Sequence, residues 1–144
     1  MIVEAPDYEK YQAVKMPESD KWGLIMPDHS PLAQKEFITF EDLKGLPLFC
    51  SGQGWRTDLP RWCGGRIEEL TLEGTFRLSY NGAVFTQEGL GYLLTFQHLT
   101  DTRPGSGLVF RPLSPPLEAP MYLIWKKGAA FTPIARRFIR ELEF

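Results

Sequence analysis

The chain has 144 residues, of which 43% are apolar and 24% are charged, and its formal net charge is −2 at pH 7. This composition is typical of one globular domain with a substantial core. Arg136, Arg137 and Arg140 lie close together, but Glu141 and Glu143 balance them, so we expect no direct DNA binding by this chain. No apolar run approaches the roughly 20 residues that span a bilayer and no signal peptide is evident, so we expect a cytoplasmic protein that does not bind membranes.

The first segments predict two strands and a helical turn. The run KYQAVKM alternates weakly and is ended by Pro17, and KWGLIMP is a compact apolar run closed by Pro27. Each favours one short strand. Ser30 can cap a helical turn that begins at Pro31, because proline suits the first position of a helix.

A second short helix is predicted between Phe40 and Lys44. Thr39 is followed three residues later by Asp42, which is the spacing of a capping box, and Gly45 is a plausible end of the helix. The run PLFC that follows predicts a buried strand.

The middle of the chain predicts a broken helix and then a strand. Trp55, Leu59 and Trp62 have helical spacing, and Pro60 is expected to split this helix into two turns. The segment RIEELTLEGTFRLSY has apolar residues at mostly even spacing, which predicts a strand that Gly74 interrupts.

The last third predicts a helix from Asn81 to Glu88, the strands YLLTF, LVFRPL and MYLIWK, and a closing helix. Thr132 caps this last helix and Pro133 occupies its first position. Its apolar stripe consists of Ile134, Phe138, Ile139 and Leu142. The order of these elements indicates one lobe of an α/β ligand-binding domain.

Known catalytic and metal-binding patterns are missing from the sequence. There is no G-x-S-x-G elbow, Walker loop or H-E-x-x-H motif. Cys50 and Cys63 do not have a metal-ligand spacing, and we interpret both as reduced packing residues. We interpret His29 as a turn residue, Glu88 as a solvated or capping residue, and the four tryptophans as packing residues rather than an aromatic cage. We therefore expect no enzymatic activity, no metal and no cofactor.

Two small polar loops are candidates for a ligand-binding cleft. One follows the strand PLFC, and the other enters the helix at Asn81, where free N–H groups of the first turn favour an anion. Both are expected at the same edge of a parallel sheet, where α/β proteins bind ligands. The candidate ligand-binding residues of the two loops are Ser51, Gly52 and Gln53, and Ser79, Tyr80, Asn81 and Gly82.

Over roughly residues 10 to 143, the sequence resembles the effector-binding domain of LysR-type transcriptional regulators. WGLIMPDHSPLAQKEFITFEDLKGLPLF is similar to the family's strand, HPLA-like turn and short helix before a second strand, although His29-Ser30-Pro31 contains one inserted residue. EGLGYLLTF resembles the family's GLG helix exit and following strand. LVFRPLSPP, YLIWKK and FTPIARRFIREL resemble its last strands and helix.

The resemblance implies a type II periplasmic-binding-protein-like fold, with two α/β lobes and a small-molecule inducer between them. Both loops would then face the ligand, and Thr95 would lie near the return crossing as a further ligand-binding residue. The second lobe would consist of about residues 18–100. The remnants of the first lobe would be about residues 1–17 and 108–144.

The family's N-terminal DNA-binding domain has no counterpart here, so we expect an inducer-sensing fragment of a LysR-type transcriptional regulator. Its last strands and helix would need cover for their apolar faces, which predicts a homodimer or larger homo-oligomer. Two alternatives remain open from the sequence. One is a solute-binding protein or an enzyme on the same two-lobe fold, and the other is a self-associating fragment without a ligand.

Overall fold

The computed structural model describes residues 2–3 and 6–142, and it confirms the predicted α/β class. The strands are β1 (Ile2–Val3), β2 (Tyr11–Pro27), β3 (Pro47–Ser51), β4 (Thr71–Phe76), β5 (Tyr92–Phe96), β6 (Leu108–Pro112) and β7 (Glu118–Lys126). The helices are α1 (Phe40–Leu43), α2 (Gly52–Arg56), α3 (Asp58–Trp62), α4 (Ser79–Gln87) and α5 (Pro133–Leu142), with 3-10 turns at Pro31–Gln34 and Arg66–Glu69. No helix in the described part of the chain is long and apolar enough to cross a membrane.

The chain divides into two compact units. The larger unit is Lys21–Leu117, and the smaller unit is drawn from both ends of the chain, up to Asp20 and from Glu118 onward. Strand β2 is one continuous strand of 17 residues and contributes to both units. The prediction of two short strands was therefore wrong at Pro17, which is exposed and does not end the strand. Proline is compatible with a strand wherever no partner needs its missing N–H.

The larger unit is built on a five-stranded sheet in the order β6-β2-β5-β3-β4. Strand β3 runs parallel to both β4 and β5, whereas β2 is antiparallel to both β5 and β6. In this register Ser51 lies opposite Phe76, and Cys50 lies opposite Leu94. The carboxyl ends of β3, β4 and β5 consequently lie at one edge of the sheet.

Both faces of the central strands β2 and β5 are buried in this sheet. Ile25 and Leu93 are paired across β2 and β5, and they pack with Ala83 of α4 and Leu108 of β6 in one apolar cluster. Because neighbouring side chains alternate along a strand, Leu24 and Leu94 point to the other face, where they are also fully buried. This is the pattern of a sheet with helices on both sides.

The last strand of the larger unit is β6, which begins at Leu108. Strand β6 pairs with residues 23–27 of β2, and Leu108 is 2% exposed in the apolar cluster of the larger unit. The chain leaves this unit only after Leu117. The strand predicted from the apolar run LVFRPL is present. Its pairing with β2 joins distant parts of the chain and cannot be predicted from the local sequence pattern.

Two of the helix starts agree with the sequence. Thr39 and Asp42 form the predicted capping box: the Thr39 N–H donates to Asp42 Oδ2 at 2.9 Å, and the Asp42 N–H donates to Thr39 Oγ1 at 3.4 Å. Thr132 Oγ1 accepts from the Ala135 N–H at 3.3 Å at the start of α5. These caps satisfy N–H groups that have no partner inside the helix.

Two other helix starts differ from the predictions. Helix α4 begins at Ser79 rather than Asn81, and no side chain caps it. The break between α2 and α3 falls at Thr57 rather than Pro60. Pro60 is the third residue of α3, where its missing N–H has no helical partner to lose.

The smaller unit contains the strand order β1-β7-β2, and β1 pairs antiparallel with β7. Helix α5 belongs to this unit. The apolar stripe predicted for α5 is partly uncovered, since Ile134 is 80% exposed and Phe138 is 58% exposed, whereas Ile139 and Leu142 are half-buried. No residue of α5 is buried within the described chain.

We predict that Gly23→Ala destabilises the larger unit by about 1–3 kcal/mol, because neighbouring atoms already occupy the space that a side chain at this buried position would need. A Cβ at this position would meet the ring of Phe110 and would lie 2.5 Å from the Arg111 carbonyl oxygen. Gly74→Ala is the matched control, since a Cβ there would meet only the Phe49 ring, at 3.1 Å. Urea unfolding followed by circular dichroism measures both. Equal stability of the two variants would contradict the prediction.

Candidate functional site

A cavity of about 510 Å³ lies at the carboxyl edge of the parallel strands in the larger unit. Strand β3 enters α2 at this edge, and β4 is followed by Arg77 and then by the start of α4. The lining residues are Ser51, Gly52, Gln53, Arg56, Thr75, Phe76 and Arg77. The volume is in the range of small-molecule sites, and the position is where open α/β sheets bind ligands.

The first predicted loop lines this cavity. Ser51 is the cap of α2, and its Oγ accepts a hydrogen bond from the Gly54 N–H at 3.1 Å. Gln53 is exposed, and its side-chain amide makes no hydrogen bond within the described residues. That amide can both donate to and accept from a ligand.

Gly54 serves packing rather than ligand approach. It is buried, and a Cβ there would lie 2.8 Å from Trp22 Cζ2 and 3.0 Å from Ser51 Oγ. Trp22 is 3% exposed, and its ring centroid lies 4.6 Å from that of Phe96. The first turn of α2 therefore packs against the aromatic pair of Trp22 and Phe96 through Gly54. This packing positions Ser51 and Gln53 at the cavity.

The second predicted loop is attached to the sheet beside the first. Ser79 Oγ and Thr95 Oγ1 are 2.9 Å apart and share a hydrogen bond. Thr95 is 4% exposed at the end of β5. Two hydroxyl groups carry two hydrogens and this bond uses one, so one hydroxyl hydrogen remains to be donated. The structure thus brings together two residues that were predicted from different parts of the chain.

None of the four residues predicted in the second loop lines the cavity, and neither does Thr95. Tyr80 is 73% exposed, and Asn81 is exposed and does not cap the helix. Gly82 is buried, and a Cβ there would lie 2.6 Å from Leu93 Cδ1. The absence of a side chain at Gly82 therefore allows α4 to approach the sheet closely.

Two further residues, Arg56 and Arg77, were not predicted from the sequence and line the cavity from α2 and from the segment after β4. A signal for each was present. Arg56 lies four residues after Gly52 and so shares its helix face, and Arg77 directly follows the last residue of a strand that ends at the predicted edge.

The cysteines and histidines lie outside this cavity. Burial raises the pKa of the Cys50 thiol to about 12, so the thiol is protonated at neutral pH. His29 is exposed and lines a smaller cavity of about 220 Å³ with Ser30 and Tyr92. Among the described residues, no three His, Cys, Asp or Glu side chains are grouped as metal ligands.

We predict that Ser79→Ala lowers the free energy of unfolding by about 1–3 kcal/mol, because it leaves the buried Thr95 hydroxyl without its partner. Thr95→Val removes the other half of the same bond. The double variant is expected to lose less stability than the sum of the two single variants. Urea unfolding of all four proteins measures this coupling, and strictly additive losses would show that the bond contributes nothing.

Solved structures with the same fold come from LysR regulators. HinK, a LysR family transcriptional regulator from Pseudomonas aeruginosa, matches with a TM-score of 0.76 at 15% identity, over 96% of this chain and 50% of HinK. The CcmR regulatory domain from Synechocystis PCC6803, solved in complex with 2-PG, matches with a TM-score of 0.71 at 20% identity, over 98% of this chain and 70% of that one. The QuiR effector-binding domain, solved with shikimate, has a TM-score of 0.76 at 12% identity, over 96% and 66% of the two chains.

This chain spans about half the length of HinK. No protein of curated function has a significant match to the sequence. The structural matches confirm the expected periplasmic-binding-protein-like fold of LysR effector domains. The family model described as LysR substrate binding domain matches residues 2–143, and the chain therefore belongs to the LysR substrate-binding domain family.

Proposed function

We propose that the chain is the ligand-sensing part of a LysR-type regulator and binds a small-molecule effector at the carboxyl edge of β3, β4 and β5. The observation that carries this proposal is the cavity of about 510 Å³, whose lining combines unpaired polar side chains with the predicted residues Ser51, Gly52 and Gln53. Related structures support it, since CcmR was solved with 2-PG and QuiR with shikimate. A cytoplasmic location is part of the proposal, because a transcriptional regulator senses its effector where it meets DNA.

The effector is proposed to be anionic. The first turn of α4 has no side-chain cap, and free N–H groups at a helix start favour negative charge. Arg56 and Arg77 in the cavity lining add positive charge. Of the residues proposed from the sequence, those of the first loop line the cavity, whereas Ser79, Tyr80, Asn81, Gly82 and Thr95 lie outside its lining.

Sensing requires no chemical step at this site. Within the described residues, the cavity is lined by no cysteine, histidine or carboxylate that could act as a nucleophile or general base. We assign the larger unit to the second effector lobe and the smaller unit to part of the first. An effector that binds one conformation of the regulator more tightly shifts its equilibrium towards that conformation, and no catalysis or DNA contact by this chain is needed.

A thermal-shift screen of mixed metabolites, including neutral sugars, amino acids, carboxylates and phosphates, tests effector binding. A ligand that binds only the folded chain raises its melting temperature. For such a ligand, Gln53→Ala is expected to weaken binding about fivefold or more, because a hydrogen-bonding partner is lost. Gln87→Ala, at the exposed end of α4, is the matched control and should change nothing. No stabilising compound in the screen, or equal effects of the two variants, would count against the site.

We also propose that the chain forms a homodimer or larger homo-oligomer through α5. Ile134 and Phe138 are one helical turn apart and present an exposed apolar face. Light scattering coupled to size exclusion is expected to give a mass above the 16.5 kDa of one chain. Phe138→Glu should reduce it to that of the monomer, since an unpaired carboxylate is costly in an apolar contact. Arg140→Ala, away from this face, should not. A monomer mass for the unaltered chain would refute the proposal.

A further inference from the structure

We infer that the cavity at the carboxyl edge selects a doubly charged anion, a dicarboxylate or a phosphate monoester, and that Arg56 and Arg77 determine this preference. The inference rests on the proposed effector site, because it concerns the same cavity. It adds the charge of the ligand and the two residues that bind its charged groups. Three observations support it.

The first observation is the position of the Arg56 guanidinium. Arg56 is the last residue of α2, but its side chain folds back over the first turn of the same helix. A Cβ on Gly52 would lie 3.1 Å from Arg56 Nη1 and 3.5 Å from Nη2. The guanidinium therefore occupies the space that a larger residue 52 would take, directly beside the cavity-lining loop.

The second observation is that Arg77 approaches from a different strand. Phe76, the last residue of β4, lies opposite Ser51 in the parallel register. Arg77 is the next residue along the chain and lines the cavity. One arginine is thus supplied by the segment after β3 and the other by the segment after β4, so that the cavity has a cation on each of two walls.

The third observation is the charge balance. The seven lining residues include both arginines and no carboxylate. Within the described residues, neither arginine forms an ion pair or a hydrogen bond, whereas Arg61, Arg66 and Arg103 each lie within 3.4 Å of a carboxylate oxygen. Arg111, the remaining arginine of the larger unit, donates to the backbone carbonyl oxygens of Lys35 and Ala33. Arg56 and Arg77 are therefore the two arginines of this unit that are available to a ligand.

A doubly charged ligand matches this arrangement better than a singly charged one. Each guanidinium offers a planar pair of N–H donors that fits one carboxylate or phosphate face in bidentate geometry. A ligand with one carboxylate can pair with one arginine in this way and leaves the second without a partner. A dicarboxylate can pair with both, and a phosphate offers enough oxygens for both.

Calorimetric titration of the chain at low ionic strength tests the inference with a matched series. The probes are succinate, which is doubly charged, its singly charged half-amide succinamate and its uncharged diamide succinamide, together with inorganic phosphate. We expect succinate to bind at least about tenfold more tightly than succinamate, because one charge-assisted bidentate pair is worth about that factor or more. Succinamide should bind least, and added salt should weaken succinate most.

Arg56→Gln and Arg77→Gln should each weaken succinate and phosphate binding about tenfold or more and bring succinate close to succinamate. Arg56→Lys, which keeps the charge and loses the planar donor pair, should give an intermediate loss. Arg103→Gln removes an exposed arginine outside the cavity and should leave binding unchanged. Circular dichroism of each variant establishes that it is folded. If a glutamine variant does not fold, the comparison of Arg56→Lys with the unaltered chain decides.

Equal binding of succinate and succinamate, no binding of succinate or phosphate, or binding that the arginine variants do not change would overturn the inference. These failures differ from failure of the effector proposal. If neutral metabolites raise the melting temperature and depend on Gln53, the effector site stands and the preference for two charges is wrong. If no compound of either kind binds, both are wrong.

Discussion

The parallel pairing of β3 with both β4 and β5 is the constraint on which the site depends. Because three strands run in the same direction, three separate segments of the chain leave the sheet at one edge. The register then determines which residues meet there, with Ser51 opposite Phe76 and Cys50 opposite Leu94. If β3 were shifted by one residue relative to its neighbours, Ser51 would take the buried position that Cys50 occupies.

The residues that follow strand ends were predictable because their signals are local. Small polar residues after PLFC indicated the first loop, and the spacing of Thr39 and Asp42 indicated a capping box that the structure contains. The start of α4 was not predictable in this way. Asn81 has a good capping side chain, and the observed cap, Leu78, has none. The bond between Ser79 and Thr95 attaches the segment to β5 two residues before Asn81. A tertiary contact overrode a local preference.

The two arginines and the partner of strand β6 could not be predicted, for a related physical reason. A long side chain such as that of Arg56 can point in many directions, and its position depends on the empty space at Gly52. Similarly, the apolar pattern of residues 108–112 predicts a strand but not its partner, which is β2, more than 80 residues earlier in the chain. Sequence patterns indicate what a segment forms, and long-range packing decides where it lies.

The shape of the cavity and its chemistry are determined by different residues. Shape depends on the close contacts of Gly54 with Trp22 and of Gly82 with Leu93, which leave no room for a side chain. Chemistry depends on exposed groups such as Gln53, Arg56 and Arg77, whose side chains hold no other part of the described fold together. Evolution can therefore exchange the recognition groups at little cost in stability while the two glycines stay fixed. A scaffold with this separation can acquire a new effector without being rebuilt.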